Sequence, residues 1–234
     1  DEYRIRKYGF HGPSHKFVMQ AAAEFLKKPV EELTLITCHL GNGSSIAAIK
    51  NGKVLDTSMG MTPLAGLIMG TRCGDIDPAI IFFLGRKGMS VDQIDNVLNK
   101  QSGLMGINGI GSGDMRDTVN AAQQGKAAAD NALNMFGHRA AFYIGGYNTL
   151  LGGADAIIFT GGIGENSAPA RKAIVSRLEA LGCKLDEAKN KAVAGTQGVI
   201  STDTSKVSAI VIPTNEELMI ARETFRILVA TVKK

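Results

Sequence analysis

Six stretches of this 234-residue chain set polar or charged side chains among glycines and prolines, a combination that can do chemistry. In His39-Leu40-Gly41-Asn42-Gly43-Ser44-Ser45 the glycines allow close backbone approach, so that successive N–H groups can cradle a phosphate. A plain Gly/Asn turn would not need a histidine and two serines around it. In Thr160-Gly161-Gly162-Ile163-Gly164-Glu165-Asn166-Ser167 a glycine-rich turn leads from a strand into a helix, whose N-terminus attracts anions. The spacing is not that of a dinucleotide fingerprint, because Ser167 stands where the third glycine belongs. No Walker-type GxxxxGK[ST] occurs.

The other four stretches are more open. Pro213-Thr214-Asn215-Glu216-Glu217 can cap a helix, and acids in a first turn suit its dipole; a carboxylate at a strand end can equally hold Mg²⁺. Tyr8 to His15 sets His11 on a glycine-flanked loop. The break at Gly12-Pro13 and the lack of an HExxH glutamate argue against a His11–His15 metal pair, so His11 reads as a loop histidine on these residues alone. Arg72 lies between Gly70 and Gly74, ahead of Asp75 and Asp77, as an arginine aimed at an anion by its acids or as a surface ion pair. Gly103 to Asp117 holds five glycines and then Asp114-Met115-Arg116-Asp117, which reads as a ligand loop or a flexible connection. Three glycine-rich loops, an arginine, one or two histidines and a glutamate fit phosphoryl transfer, which needs positioning and charge neutralisation more than a covalent nucleophile.

These residues need a scaffold. Leu33 to His39 reads as a buried strand, and Ser44–Lys50 and Lys53–Ser58 as a hairpin turning at Asn51-Gly52. Helices are expected over His15–Lys28 and Ser90–Lys100. Thr118–Leu151 is expected as one long helix or two, with Gly125, Gly137 and Gly145-Gly146 as candidate breaks. Strands Ala156–Thr160 and Val207–Ile212 each precede a helix, the first over Ala168–Leu181 and the second from Glu216. A hairpin followed by helices and βα units implies an α/β domain on a mixed sheet.

Composition narrows the class. Charged residues are 21%, hydrophobic residues 44%, and the net charge is +4, an ordinary globular balance with no dense basic block to bind nucleic acid. The apolar run Ala79–Leu84 is far below the roughly 20 residues of a membrane span. No signal peptide opens the chain, and three scattered cysteines indicate neither a disulfide framework nor a zinc site, so a cytoplasmic setting is expected. Glycine is in excess, 28 residues, of which 19 fall within 41–74, 103–113 and 145–164, around the proposed ligand loops.

Taken in order, YGFHGPSH (8–15), HLGNGSS (39–45), MGMTPLAGLIMGTRCGDIDP (59–78), GDMRD (113–117), FTGGIGENS (159–167) and PTNEELMIAR (213–222) resemble the acetate kinase family, whose sister carboxylate kinases, such as propionate kinase, share most of them. The resemblance implies an α/β fold of the actin, Hsp70 and sugar-kinase (ribonuclease H-like) type, with a mixed sheet flanked by helices. It implies reversible transfer of the ATP γ-phosphoryl to acetate with Mg²⁺ or Mn²⁺, giving acetyl phosphate and ADP. By motif, His11 and Arg72 match stabilisers of the phosphoryl group in flight, and His39, Leu40, Gly41, Asn42 and Gly43 the phosphate loop. Asp114, Met115 and Arg116, with Gly162, Ile163, Gly164, Glu165 and Asn166, match the adenosine side, and Glu216 the metal ligand. The family reads Thr where this chain has Pro13 and Glu where it has Ala65. It also runs to roughly 400 residues, with a substrate-side domain ahead of the YGFHG motif. Residues 1–234, starting with Asp1 rather than Met, are therefore expected to be the C-terminal nucleotide-binding domain, inactive alone and forming a homodimer in the parent protein.

Overall fold

The computed structural model describes residues 2–232. A six-stranded mixed sheet organises them, in the order β3-β2-β1-β4-β6-β5. β1 (Thr34–Leu40), β2 (Ser44–Lys50) and β3 (Lys53–Thr57) run antiparallel, while β4 (Ala156–Thr160) and β6 (Ser208–Val211) continue from β1 in parallel. The β2–β3 turn is the expected Asn51-Gly52, with φ of 52° and 75°, the left-handed geometry of a tight hairpin. A short edge strand, β5 (Gly198–Val199), lies antiparallel to β6; its two residues are too few to show a periodicity.

Helices cover both faces. α1 (Gly12–Leu26) packs Val18, Met19 and Ala22 against Leu35, Ala47, Ile49, Ile158 and Ile210. On the other face α6 (Ala127–Leu151) lays Phe136, Ala140 and Ile144 over Ile36, Cys38, Ile46, Ile157 and Phe159. The expected Thr118–Leu151 helix is two helices, α5 (Met115–Gln123) and α6, broken at Gly125, whose φ is 83°. Gly137 and Gly145-Gly146 do not break α6. A Cβ at Gly137 would run into the backbone of Ala173, so that glycine lets a second helix cross closely.

Four segments read as loops or left unassigned are α-helical: α2 (Ala79–Arg86), α4 (Gly103–Ile107), α9 (Glu187–Ala192) and α7 (Gly161–Asn166), the last formed by the glycine-rich turn itself. α3 (Val91–Lys100) starts as expected on a Ser90 capping box with Gln93. The helix expected to Leu181 is α8 (Ala168–Val175) and then a separate 3₁₀ turn at 179–181, because the Leu178 carbonyl collects the N–H groups of Leu181 and Cys183 and tightens the chain. After α9 (Glu187–Ala192), α10 (Glu216–Val232) closes the described chain.

Arg171 on α8 is fully buried and has no carboxylate partner among the described residues. Its five N–H bonds go instead to oxygen acceptors: Nε to Asn190 Oδ1 (2.8 Å), Nη1 to the carbonyls of Gly164 and Glu165 (both 2.9 Å), and Nη2 to those of Asn190 and Val193 (both 2.7 Å). Those carbonyls end α7 and α9, where helix dipoles favour a cation. Burial lowers its pKa to about 10, which still leaves it charged at neutral pH. Arg171→Leu strands these acceptors and is expected to cost ~3–5 kcal/mol, since each unsatisfied buried group costs roughly 1–3. Lysine, with three donors and no planar fork, recovers only part of this. Urea unfolding of the three proteins measures it; a loss under 1 kcal/mol for Leu would refute the assignment.

Candidate active site

The pleat of β1 and β2 decides what meets α1. Alternation sends Leu35, Thr37 and His39, with Ser45, Ala47 and Ile49 opposite, to the α1 face. The apolar half of that set is core. The polar half, at the strand ends near the His39 loop, meets Ser14 and His15 from the first turns of α1. Three histidines gather there. His11 and His39 stack with ring centroids 4.1 Å apart and planes inclined by 18°, and His15 lies edge-on to His39 at 6.4 Å. Hydroxyls tie them down: Ser14 Oγ to His39 Nδ1 (2.8 Å), Ser45 Oγ to His11 Nδ1 (2.9 Å) and His15 Nε2 (2.8 Å), and Thr37 Oγ1 to His15 Nδ1 (2.8 Å).

Burial keeps these rings neutral. It lowers His39 to about 4, and His15 to about 3 with help from its two histidine neighbours. His11 falls to about 4 through burial first and His39 next, with Glu216 opposing and Arg72 adding to the fall. Glu216, half-buried in the first turn of α10, is thus near enough to act on His11. His11 has φ 55°, left-handed, and turns the chain into α1; Pro13 sits in the first turn of α1, where its missing N–H costs nothing.

Arg72 is held by its backbone. Cys73 N–H bonds Leu98 O (2.9 Å), and the Arg72 carbonyl accepts from Met69 N–H (3.2 Å). Gly103 (φ 62°) lies so close beneath Met69 and Arg72 that no Cβ fits. The acids expected to aim Arg72 act elsewhere. Asp75 accepts from Gly66 N–H (2.7 Å) and Tyr143 O–H (2.5 Å), closing the loop onto α6, while Asp77 accepts from Ala79 N–H at the start of α2. Among the described residues the guanidinium keeps only weak contacts, Nη1 to Pro63 O (3.4 Å) and Met69 Sδ (3.7 Å). A Cβ built on Gly43 would stand 3.1 Å from Arg72 Nη1 and 3.6 Å from His11 Nε2, so both atoms border the space over that glycine.

Beside this space opens a cleft of about 900 Å³. Gly41, Asn42, Asp114, Met115, Arg116, Gly162, Ile163 and Asn166 line it, bringing together three loops that the sequence singles out. Two of them interlock at Gly70, whose N–H bonds Asn42 O (3.2 Å) and where a Cβ would strike Asn42 Oδ1 and the Gly113 carbonyl. Asp114 caps α5 and grips the exposed Arg116 (Oδ2 to Nη2, 2.6 Å). Other expected residues point elsewhere. Leu40 is core, Gly164 is buried against Phe159, and Glu165 Oε1 accepts from Gly161 N–H (2.8 Å), Thr160 Oγ1 (3.2 Å) and Thr214 N–H (3.1 Å). Glu165 thus ties the turn before α7 to the turn before α10. Ser14, Thr37 and Ser45 were not foreseen as partners of the histidines, although the parity of β1 carries the signal.

The chain matches the Acetokinase family over residues 1–222. It is 59% identical to an acetate kinase of Clostridium novyi and 56% identical to one of Dictyoglomus thermophilum, each over 97% of this chain and 57% of the relative. It thus spans little more than half the length of these relatives. The crystal structure of Porphyromonas gingivalis acetate kinase superposes with a TM-score of 0.93 at 44% identity, covering 97% of this chain and 57% of that one. A propionate kinase from Francisella tularensis gives 0.89 at 47% identity, covering 95% and 56%. The mixed sheet with flanking helices is therefore the actin- and sugar-kinase-like α/β fold of acetate kinases.

The histidine cluster fixes a pH dependence. Each ring's folded pKa lies below the ordinary 6.5, so between about pH 4 and 6.5 the unfolded chain binds protons that the folded chain does not, and stability rises with pH. The contribution is complete above about pH 6.5 and is lost as pH falls toward 4. The urea midpoint is expected to drop over that range, and less steeply in His15→Gln; parallel slopes would show that His15 takes no part.

Proposed function

This chain belongs to the acetokinase family, and we propose that it is the nucleotide-binding part of an acetate kinase, covering residues 1–234, which transfers the γ-phosphoryl of ATP to acetate. One observation carries the reading: Arg72 Nη1 and His11 Nε2 both border the space over Gly43, next to a cleft walled by the 41–42, 114–116 and 162–166 segments. The cleft is of a size for a nucleotide. The space over Gly43 then takes the terminal phosphoryl group, with the charge of Arg72 and a neutral donor, His11, at its oxygens.

The acceptor suits this site. A carboxylate is already ionised at neutral pH, so its oxygen attacks phosphorus with no proton to remove, while the bond to the ADP oxygen breaks. Histidines lowered to about 4 are poor bases at that pH and serve as fixed dipoles. The residues present also fit Mg²⁺. No three metal-ligating side chains cluster among the described residues, which suits an ion coordinated largely by phosphate and water oxygens with one carboxylate, Glu216. Thr214 Oγ1, buried two residues earlier, has no hydrogen-bond partner among the described residues. Bound there, the ion would neutralise phosphate charge.

Acetate rather than propionate follows the naming of most relatives, and because the chain spans 57% of their length the reading concerns the whole protein. The exposed Ile80, Ile81, Phe82 and Phe83 of α2, a helix with no buried residue, support a homodimer, which sedimentation tests. In the whole protein, Arg72→Ala is expected to lower kcat by about 10³ with the ATP KM little changed, read as acyl hydroxamate formation. Unchanged kcat would remove Arg72 from the reaction, and turnover of propionate but not acetate would change the substrate. Glu216→Ala is expected to raise the Mg²⁺ needed for half-maximal rate. The isolated chain is expected to bind Mg·ADP in calorimetry with little turnover.

A further inference from the structure

Three hydrogen bonds run in series beneath His11: Thr37 Oγ1 to His15 Nδ1, His15 Nε2 to Ser45 Oγ, and Ser45 Oγ to His11 Nδ1. Thr37 and Ser45 are fully buried, and His15 is 4% exposed, so exchange with water does not set their hydrogens. A neutral imidazole carries one N–H and one bare nitrogen, and each hydroxyl has one hydrogen. Letting both rings donate to Ser45 would orphan its buried hydroxyl hydrogen, so with that hydrogen spent inside the series two self-consistent settings remain. In one, Thr37 O–H donates to His15 Nδ1, His15 Nε2–H to Ser45, and Ser45 O–H to His11 Nδ1, which places the His11 proton on Nε2. In the other, every bond runs the opposite way and the His11 proton sits on Nδ1.

Thr37 decides between them. His15 is the partner of its hydroxyl oxygen among the described residues. The second setting leaves the Thr37 hydroxyl hydrogen without an acceptor at a fully buried position, whereas the first leaves only unused acceptor capacity. An orphaned buried donor is the rarer and costlier defect. We infer that Thr37, His15 and Ser45 form a positioning relay that fixes the proton of His11 on Nε2, the ring atom facing the space over Gly43 and Arg72.

Two donors then face that space, Arg72 Nη1 and His11 Nε2–H, which fits an acceptor-only group such as a phosphoryl. In the opposite setting a lone pair would face its oxygens. The relay's existence does not depend on the proposed reaction; its use does. In metal sites, losing the group that holds a histidine's other ring nitrogen changes affinity or activity roughly 10–100-fold, which sets the scale here.

Ring ¹⁵N correlation spectra of histidine-labelled whole protein at pH 7, assigned with single His→Gln variants, read the tautomers directly. The expected result is a proton on Nε2 in both His11 and His15; a proton on Nδ1 in either overturns the relay. Ser45→Ala is expected to turn His11 into a mixture of tautomers and to lower kcat about tenfold, with the KM for ATP within twofold. An unchanged tautomer in that variant overturns the coupling. If the wild-type tautomers are as stated and Ser45→Ala changes the tautomer but not kcat, the relay stands and the role given to His11 falls.

Discussion

The pleat of β1 is the constraint on which the rest hangs. One strand, paired on both sides, gives Ile36, Cys38 and Leu40 to the core beneath α6 and Leu35, Thr37 and His39 to the side covered by α1. Because the period is two, a shift of one residue would put His39 into a hydrophobic core and bare its neighbours. The register that buries the aliphatic side chains therefore also delivers the polar ones to α1. Fold stability and site geometry are set by a single choice, and the polar end of the strand is the part that faces the histidine cluster.

Around that strand the site is assembled by close backbone approach more than by ion pairs. Gly70, Gly103 and Gly137 let loops or helices touch where a Cβ would intrude. The charges that could have neutralised Arg72 are committed to the frame: Asp75 to Gly66 and Tyr143, and Asp77 to the start of α2. Glu165 likewise spends its carboxylate on two β–α turns. What remains for a ligand is a guanidinium with weak contacts and a neutral ring, an arrangement that a polyanion completes.

Much of this was legible in the sequence, for stated reasons. The Asn51-Gly52 turn and the βα units have local signatures, and the motifs that converge on the cleft carry glycine spacing that turns alone do not need. Misjudged features were those decided by distant contacts. Gly137 reads as a helix break until Ala173 is seen across from it, and Gly161–Asn166 reads as a turn until Arg171 collects its carbonyls. Asp75 and Asp77 stand beside Arg72 in sequence, yet their partners on α2 and α6 are set by folding. The histidine network is half-visible: His11, His39 and Ser45 stand in motifs, whereas Thr37 is an ordinary strand residue whose meaning comes from parity and from what α1 brings to it.

The two walls of this molecule answer acid differently. On one side, α1 rests on rings that bind no proton until the pH is low, and charging them there would set like charges against one another between helix and sheet. On the other, Arg171 is bonded to amide and peptide oxygens, which do not titrate in this range, and its own charge is fixed. Acid would therefore loosen the α1 side through these rings, while the bonds of Arg171 around α7 are left as they are.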